Sequence, residues 1–214
     1  MTVRVKICGL TSEIAARACA TADFAGFVFY PPSPRHLAPE AAARIAAVIP
    51  PSVRRVAVMV DPDDDMLRAT FARFRPDLVQ LHGRETPARV AAIRRDHAVE
   101  VIKAIPIRDA ADLEGAHAYE DVADWLLFDA KPPHAGALPG GNAATFDWDL
   151  LAGRVWRRPW FLSGGLTPGN VAEAIDRTGA TAVDVSSGVE ERPGQKQPAL
   201  ISAFLDAARH RPQA

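Results

Sequence analysis

The sequence predicts a closed parallel (β/α)8 barrel, a single domain over residues 1–214. Three observations predict it. Short β-rich runs alternate eight times with alanine- and arginine-rich stretches of helical spacing, the pattern of parallel strands joined by helical crossovers. A length of 214 residues suits one such barrel. No linker, low-complexity segment or abrupt change of composition divides the chain. An open doubly wound sheet of eight strands is the alternative the pattern leaves open.

The first strand, Val3 to Ile7, runs into Cys8, Gly9, Leu10 and Thr11. Glycine allows a sharp exit there, and Thr11 is expected to cap the helix Ser12 to Ala20. The strands that follow are Phe24 to Phe29, Val53 to Val60, Leu78 to Leu81, Glu100 to Ile107, Trp125 to Phe128, Trp160 to Leu162 and Ala182 to Val185. Each is a short run of apolar, often β-branched or aromatic residues bounded by polar or breaker residues. Apolar residues three and four apart mark the intervening helices at Pro39 to Ile49, Asp64 to Phe74, Thr86 to Asp96, Asp109 to Ala116, Asp147 to Leu151, Pro168 to Arg177 and Pro198 to Arg209. The longest irregular stretch, Lys131 to Thr145, follows the sixth strand; loops of that length are usually functional or mobile.

Hydrophobic residues make up 48% of the chain, enough to fill a large core. Charges nearly cancel, with 25 Lys and Arg against 26 Asp and Glu. No basic surface therefore argues for nucleic acid or an anionic membrane, and a small neutral-to-anionic metabolite is the expected partner. The chain starts directly on a strand without an export pattern, and no apolar run approaches the roughly 20 residues that cross a bilayer; a cytoplasmic location is expected. Two cysteines, Cys8 and Cys19, make neither a disulfide framework nor a four-cysteine metal site and fit a reducing compartment.

Active sites of such barrels lie where the segments after the strands meet. Those segments are Cys8 and Gly9, Tyr30 to Arg35, Asp61, His82 and Gly83, Ile107 and Arg108, Asp129, Gly164 and Gly165, and Ser186 to Gly188. Ser163, Gly164 and Gly165 follow the seventh strand, and Ser186, Ser187 and Gly188 follow the eighth. Adjacent loops of this kind offer backbone N–H groups with little side-chain bulk, which suits a phosphate cradle, helped by a short extra helix expected near Val189.

Cys8 can serve as a reactive thiol or be a small buried core residue. Asp129, closing an apolar strand, is a candidate for a raised pKa and proton donation, or for an aspartate tied into its loop. Arg35 can clamp a substrate carboxylate through two bonds or remain a solvated loop residue. Asp184 can bind a sugar hydroxyl or order its loop, and His82, on the same strand face as Gln80, can point into the barrel mouth or sit satisfied in the core. His97, His117 and His210 read as surface residues. His36 and His134 lie in loops without metal-ligand spacing, so no metal site is expected.

The segments KICGLT (Lys6 to Thr11), VQLHG (Val79 to Gly83), LFDA (Leu127 to Ala130), GGNAATFDW (Gly140 to Trp148), LSGGLTPGN (Leu162 to Asn170) and VDVSSGVE (Val183 to Glu190) together resemble the phosphoribosylanthranilate isomerase family. The likeness runs from the first strand to the last helix in order. It implies an Amadori rearrangement of tryptophan biosynthesis, from N-(5-phosphoribosyl)anthranilate to 1-(2-carboxyphenylamino)-1-deoxyribulose 5-phosphate, without metal or organic cofactor. It implies Cys8 as general base, Asp129 as general acid and Arg35 as the holder of the anthranilate carboxylate. His82 and Asp184 join the substrate-binding set, and Gly164, Gly165, Ser187 and Gly188 match the phosphate loops. One departure is Ala143, where many relatives have a second glycine; it bears on the mobility of that loop.

The chemistry of the residues is compatible with these roles. Opening an aminofuranose needs a proton at the ring oxygen, which Asp129 can deliver, and the resulting iminium acidifies the neighbouring C–H for removal by a Cys8 thiolate. A free thiol titrates near pH 8.5, so a lowered Cys8 value is expected from loop dipoles or the cationic intermediate. Another phosphosugar isomerase, epimerase or aldolase of the same fold is the alternative, with Lys6 and Lys103 available for a Schiff base. The expected assembly is a monomer or weak homodimer.

Overall fold

Strand β1, Arg4–Cys8, sets the plan of the molecule: Val5 and Ile7 pack outward into the larger core, whereas Cys8 belongs to a second, smaller core. Successive side chains of a strand point to opposite faces, so one strand feeds two interiors. The computed structural model describes residues 2–131, 140 and 145–209. Most of the irregular stretch 131–145, including His134 and Ala143, lies outside the described residues, as does His210.

Strands β2 (Phe24–Val28), β3 (Arg54–Met59), β4 (Leu78–Leu81), β5 (Glu100–Ile107), β6 (Trp125–Ala130), β7 (Trp160–Leu162) and β8 (Ala182–Val185) follow β1 in sequence order around a closed barrel. All neighbours are parallel, and β8 returns to β1 with Lys6 beside Asp184. Closure excludes the open-sheet alternative. The expected strands fall within a residue or two of the observed ones.

Helices α1 (Glu13–Ala18), α2 (Pro39–Ala46), α3 (Asp64–Phe74), α4 (Pro87–His97), α5 (Ala110–Glu114), α6 (Val171–Thr178) and α7 (Pro198–Arg209) cover the strands. The cap of α1 is Ser12, whose side chain accepts from the Ala15 N–H, and not Thr11 as expected. Thr11 instead donates through Oγ1 to the Gly194 carbonyl at 2.6 Å. Asp63 and Thr86 cap α3 and α4 in the same way as Ser12. The helix expected at 147–151 is a single 3-10 turn, Trp148–Leu150; three residues with an aspartate cap close a turn, but too few follow to propagate a helix. The short helix expected near Val189 is a 3-10 turn at Ser187–Val189, and after it comes an unanticipated antiparallel hairpin, β9 (Glu190–Arg192) and β10 (Gln195–Lys196).

Inside the barrel, Phe24, Trp125 and Phe161 meet with ring centroids 5.0 to 5.6 Å apart and close its N-terminal end. Val56, Leu78, Ile102 and Leu127 fill the next positions of the same small core. The barrel is therefore a packed interior with one usable end. Among the described residues no helix is long and apolar enough to cross a membrane.

Candidate active site

Cys8 ends β1 beside Gly26 of β2, its partner in register. A Cβ at Gly26 would stand 3.0 Å from Cys8 Sγ, so the thiol fits because the neighbouring strand offers bare backbone. Two residues back on the same face, Lys6 is fully buried and its Nζ lies 2.9 Å from Asp184 Oδ1. Asp184 Oδ2 accepts from Ser163 Oγ at 3.3 Å. Burial pushes the Cys8 thiol up, and the Lys6 ammonium below it and the Lys196 ammonium only partly offset that rise. The expected lowering is therefore not found in the free site, because desolvation of a thiolate outweighs the cations around it.

Asp129 lies near the end of β6, where its Oδ1 accepts from the Ala130 N–H at 3.0 Å. Its Oδ2 is 3.2 Å from Nε2 of His82. Gln80 Nε2 stands 2.7 Å from His82 Nδ1. With the amide donating to Nδ1, the ring proton sits on Nε2 and points at the Asp129 carboxylate. Gln80 Oε1 is buried without a hydrogen-bond partner among the described residues. Gly140, at φ +76°, lies over the pair so closely that a Cβ would come within 3.0 Å of both Asp129 Oδ2 and His82 Nε2. Behind the β4 rim, Glu85 accepts from the Asp61 and Gly83 N–H groups and from Lys103 Nζ, which fixes the turn that carries His82.

Arg35 is buried rather than solvated, and its Nε and Nη2 each stand 2.8 Å from the two carboxylate oxygens of Glu190. Glu190 also pairs with Lys196, whose Nζ donates to the Ser186 carbonyl at 3.0 Å. Ser186 Oγ donates in turn to the carbonyl of Cys8 at 3.1 Å. Burial alone would raise the Glu190 carboxyl, but the bonds from Arg35 and the charge of Lys196 hold it below the usual carboxylate range. Burial, working against Glu190, leaves Lys196 below the usual ammonium range.

Gly164 and Gly165 adopt φ of +90° and +63° after β7, a conformation that side chains rarely adopt. A Cβ on Gly188 would run into the Leu166 carbonyl, so the loops after β7 and β8 touch and glycine alone permits it. Asn170 keeps the first loop in shape: its Oδ1 accepts from Thr167 N–H at 2.7 Å and its Nδ2 donates to the Gly165 carbonyl at 3.0 Å.

Cys8, Arg35, His82, Asp129 and Asp184 line one cavity at the C-terminal rim, together with Tyr30, Ser33, Gln80, Ser163 and Ser186. The family model for N-(5'-phosphoribosyl)anthranilate isomerase matches residues 5–207 of this chain. The chain belongs to the N-(5'-phosphoribosyl)anthranilate isomerase family.

It is thus an isomerase of tryptophan biosynthesis, an intramolecular aldose–ketose oxidoreductase. It is 57% identical to the N-(5'-phosphoribosyl)anthranilate isomerase of Rhodospirillum centenum over 97% of this chain and 99% of that one. Identity to the Paramagnetospirillum magneticum enzyme of the same name is 54%, with 98% of each chain covered. The crystal structure of phosphoribosyl anthranilate isomerase from Thermotoga maritima superposes with a TM-score of 0.84 at 41% identity, covering 96% of this chain and 98% of that one. A phosphoribosyl anthranilate isomerase in complex with reduced 1-(o-carboxyphenylamino)-1-deoxyribulose 5-phosphate gives 0.81 at 38% identity, with the same coverage.

Within this phosphoribosylanthranilate isomerase fold, the cavity gathers five of the nine residues singled out in the sequence. The other four, Gly164, Gly165, Ser187 and Gly188, sit in the two loops that flank it and are not among its lining residues. Lys6 was legible only as a candidate Schiff-base amine, although alternation along β1 puts it on the face of Cys8. Glu190 and Lys196 escaped notice as site residues because they sit on the hairpin; Pro193-Gly194 between them is the turn signal that marks it.

Proposed function

We propose that Cys8 and Asp129 are the base and acid of the isomerisation, acting on a small phosphorylated substrate held between Arg35 and the loops after β7 and β8. The observation that carries this reading is that the thiol of β1 and the carboxylate of β6 line the same cavity, with only β7 and β8 between their strands on the short way around the ring. Asp129 in its acid form protonates the furanose ring oxygen; the C1–O bond breaks as the anilino nitrogen lone pair forms the iminium. Cys8 as thiolate then removes the C2 proton, the electron pair moves to the iminium, and the enolamine tautomerises to the ketone. His82 holds Asp129 in place through Nε2, and Gly140 covers the pair.

Arg35 receives the anthranilate carboxylate while Glu190 orients its guanidinium. Gly164, Gly165, Ser187 and Gly188 present backbone to the 5-phosphate, and Asp184 fixes the floor of the site through Lys6. A Schiff-base aldolase would need a neutral amine. Lys6 is held instead as an ammonium, since Asp184 and Cys8 raise it against the effect of burial, and Lys103 donates to Leu81, Gly83 and Glu85.

A monomer or weak homodimer is the assembly in this reading, and two free cysteines support a cytoplasmic location. The test follows the fluorescence of phosphoribosylanthranilate with the intact chain, Cys8→Ala and Asp129→Asn. Decay with the intact chain, slowed on the order of a hundredfold or more in either variant, is expected; decay at the wild-type rate in either variant overturns the reading.

A further inference from the structure

Lysine is rarely buried in full, and Lys6 is among the largest fully buried side chains described. It stands one layer below the catalytic rim in an interior otherwise filled by Phe24, Val56, Leu78 and Leu127. A buried ion pair is poor at stabilising a fold, because removing both ions from water cancels most of their attraction, and an apolar pair of the same volume serves as well. Stability therefore does not explain Lys6 and Asp184. Position does: Lys6 and Cys8 share one face of β1, two residues apart, and Asp184 is held beside Lys6 by strand register and by Ser163.

We propose that Lys6, seated on Asp184 beneath the thiol, is the positioning residue that stabilises the Cys8 thiolate. This rests on the reading of Cys8 as the base. The titratable and charged groups around the thiol are Lys6 on β1, Asp184 on β8, Lys196 on β10, Glu190 on β9 and Arg35 after β2, with His82 after β4 and Asp129 on β6 across the cavity. Lys196 and Arg35 share the single carboxylate of Glu190. Lys6 is the cation on the thiol's own strand face, and among the neighbours that favour the ionised thiol it acts most strongly.

In a Cys19→Ala background, the pH dependence of Cys8 alkylation by iodoacetamide reads the thiolate without reference to turnover. Lys6→Met combined with Asp184→Asn removes both charges and strands neither in the interior. The alkylation midpoint is expected to rise by about one pH unit or more, with the acid limb of kcat/KM moving alongside, whereas Lys6→Arg keeps it near the wild-type value. Asp184→Asn alone leaves Lys6 unopposed and is expected to lower the midpoint; this variant carries the test if the double variant does not fold. An unmoved or lowered midpoint in the double variant, or a raised one in Asp184→Asn, overturns the proposal. If the midpoint shifts as expected while Cys8→Ala keeps full turnover, the base assignment fails and the pairing of Lys6 with the thiolate stands.

Discussion

Glu190 grips Arg35 through both carboxylate oxygens, each bond 2.8 Å long. An arginine expected to hold the substrate carboxylate is thus already held, from behind, by a carboxylate of the protein. The pairing fixes the plane of the guanidinium in advance, which reduces the ordering that binding would otherwise require. Arg35→Ala is expected to weaken substrate binding by about 1.5 to 3 kcal/mol, the range for a lost charge-assisted bond, as a raised KM with a smaller change in kcat. An unchanged KM contradicts the clamp. Glu190→Gln should move KM in the same direction and by less.

Cys8→Ala and Asp129→Asn should each lower kcat on the order of a hundredfold or more while circular dichroism and melting stay close to wild type. Both side chains are small and at the rim, so neither substitution opens a large void. Wild-type-like turnover in either variant removes that residue from the mechanism.

His82→Ala takes away the donor 3.2 Å from Asp129 Oδ2 and leaves Gln80 without its ring partner. About a tenfold loss in kcat, roughly 1.4 kcal/mol, is expected for a mispositioned acid. A change confined to KM would mean that His82 touches the ligand and leaves the acid alone.

Phe24→Ala removes the ring that meets both Trp125 and Phe161 at the closed end of the barrel. The cost should be about 3 to 5 kcal/mol, seen as a lowered Tm, with KM little changed since the plug lies at the opposite end from the cavity. A Tm within a degree or so of wild type would show that the end of the barrel repacks.

Burial raises the Cys19 thiol from 9.0 to about 12. The unfolded chain therefore ionises first, and the stability contributed by the neutral thiol is complete below pH 9 and is lost as pH rises toward the folded value. The slope is about 1.4 kcal/mol per pH unit for one group. Cys19→Ala should fall less steeply than wild type in unfolding free energy between pH 9 and 10.5, and parallel curves would contradict the assignment.

Strand positions were legible because every strand is a short apolar run with its own boundaries, and eight of them in order leave little choice of architecture. Cys8, Asp129 and the paired glycines were legible for the same reason: each lies at or just past the end of a strand, where local sequence dictates position. The fate of Thr11 was not, since Ser12 and Thr11 are both competent caps and only the approach of Gly194 from the far end of the chain assigns Thr11 elsewhere. The 3-10 turns at 148–150 and 187–189 escaped because three residues carry too weak a period to tell a turn from a helix.

By itself the sequence determined the barrel, its strand boundaries, the family and the identity of the residues at the rim, because these follow from hydrophobic period and from motifs contiguous in the chain. Only the tertiary structure decided the charges behind them. Lys6 meets Asp184 across 178 residues and Arg35 meets Glu190 across 155, and the raised Cys8 thiol depends on how much water the closed barrel excludes. Electrostatics act through space and through burial, and neither quantity exists until the ring is closed.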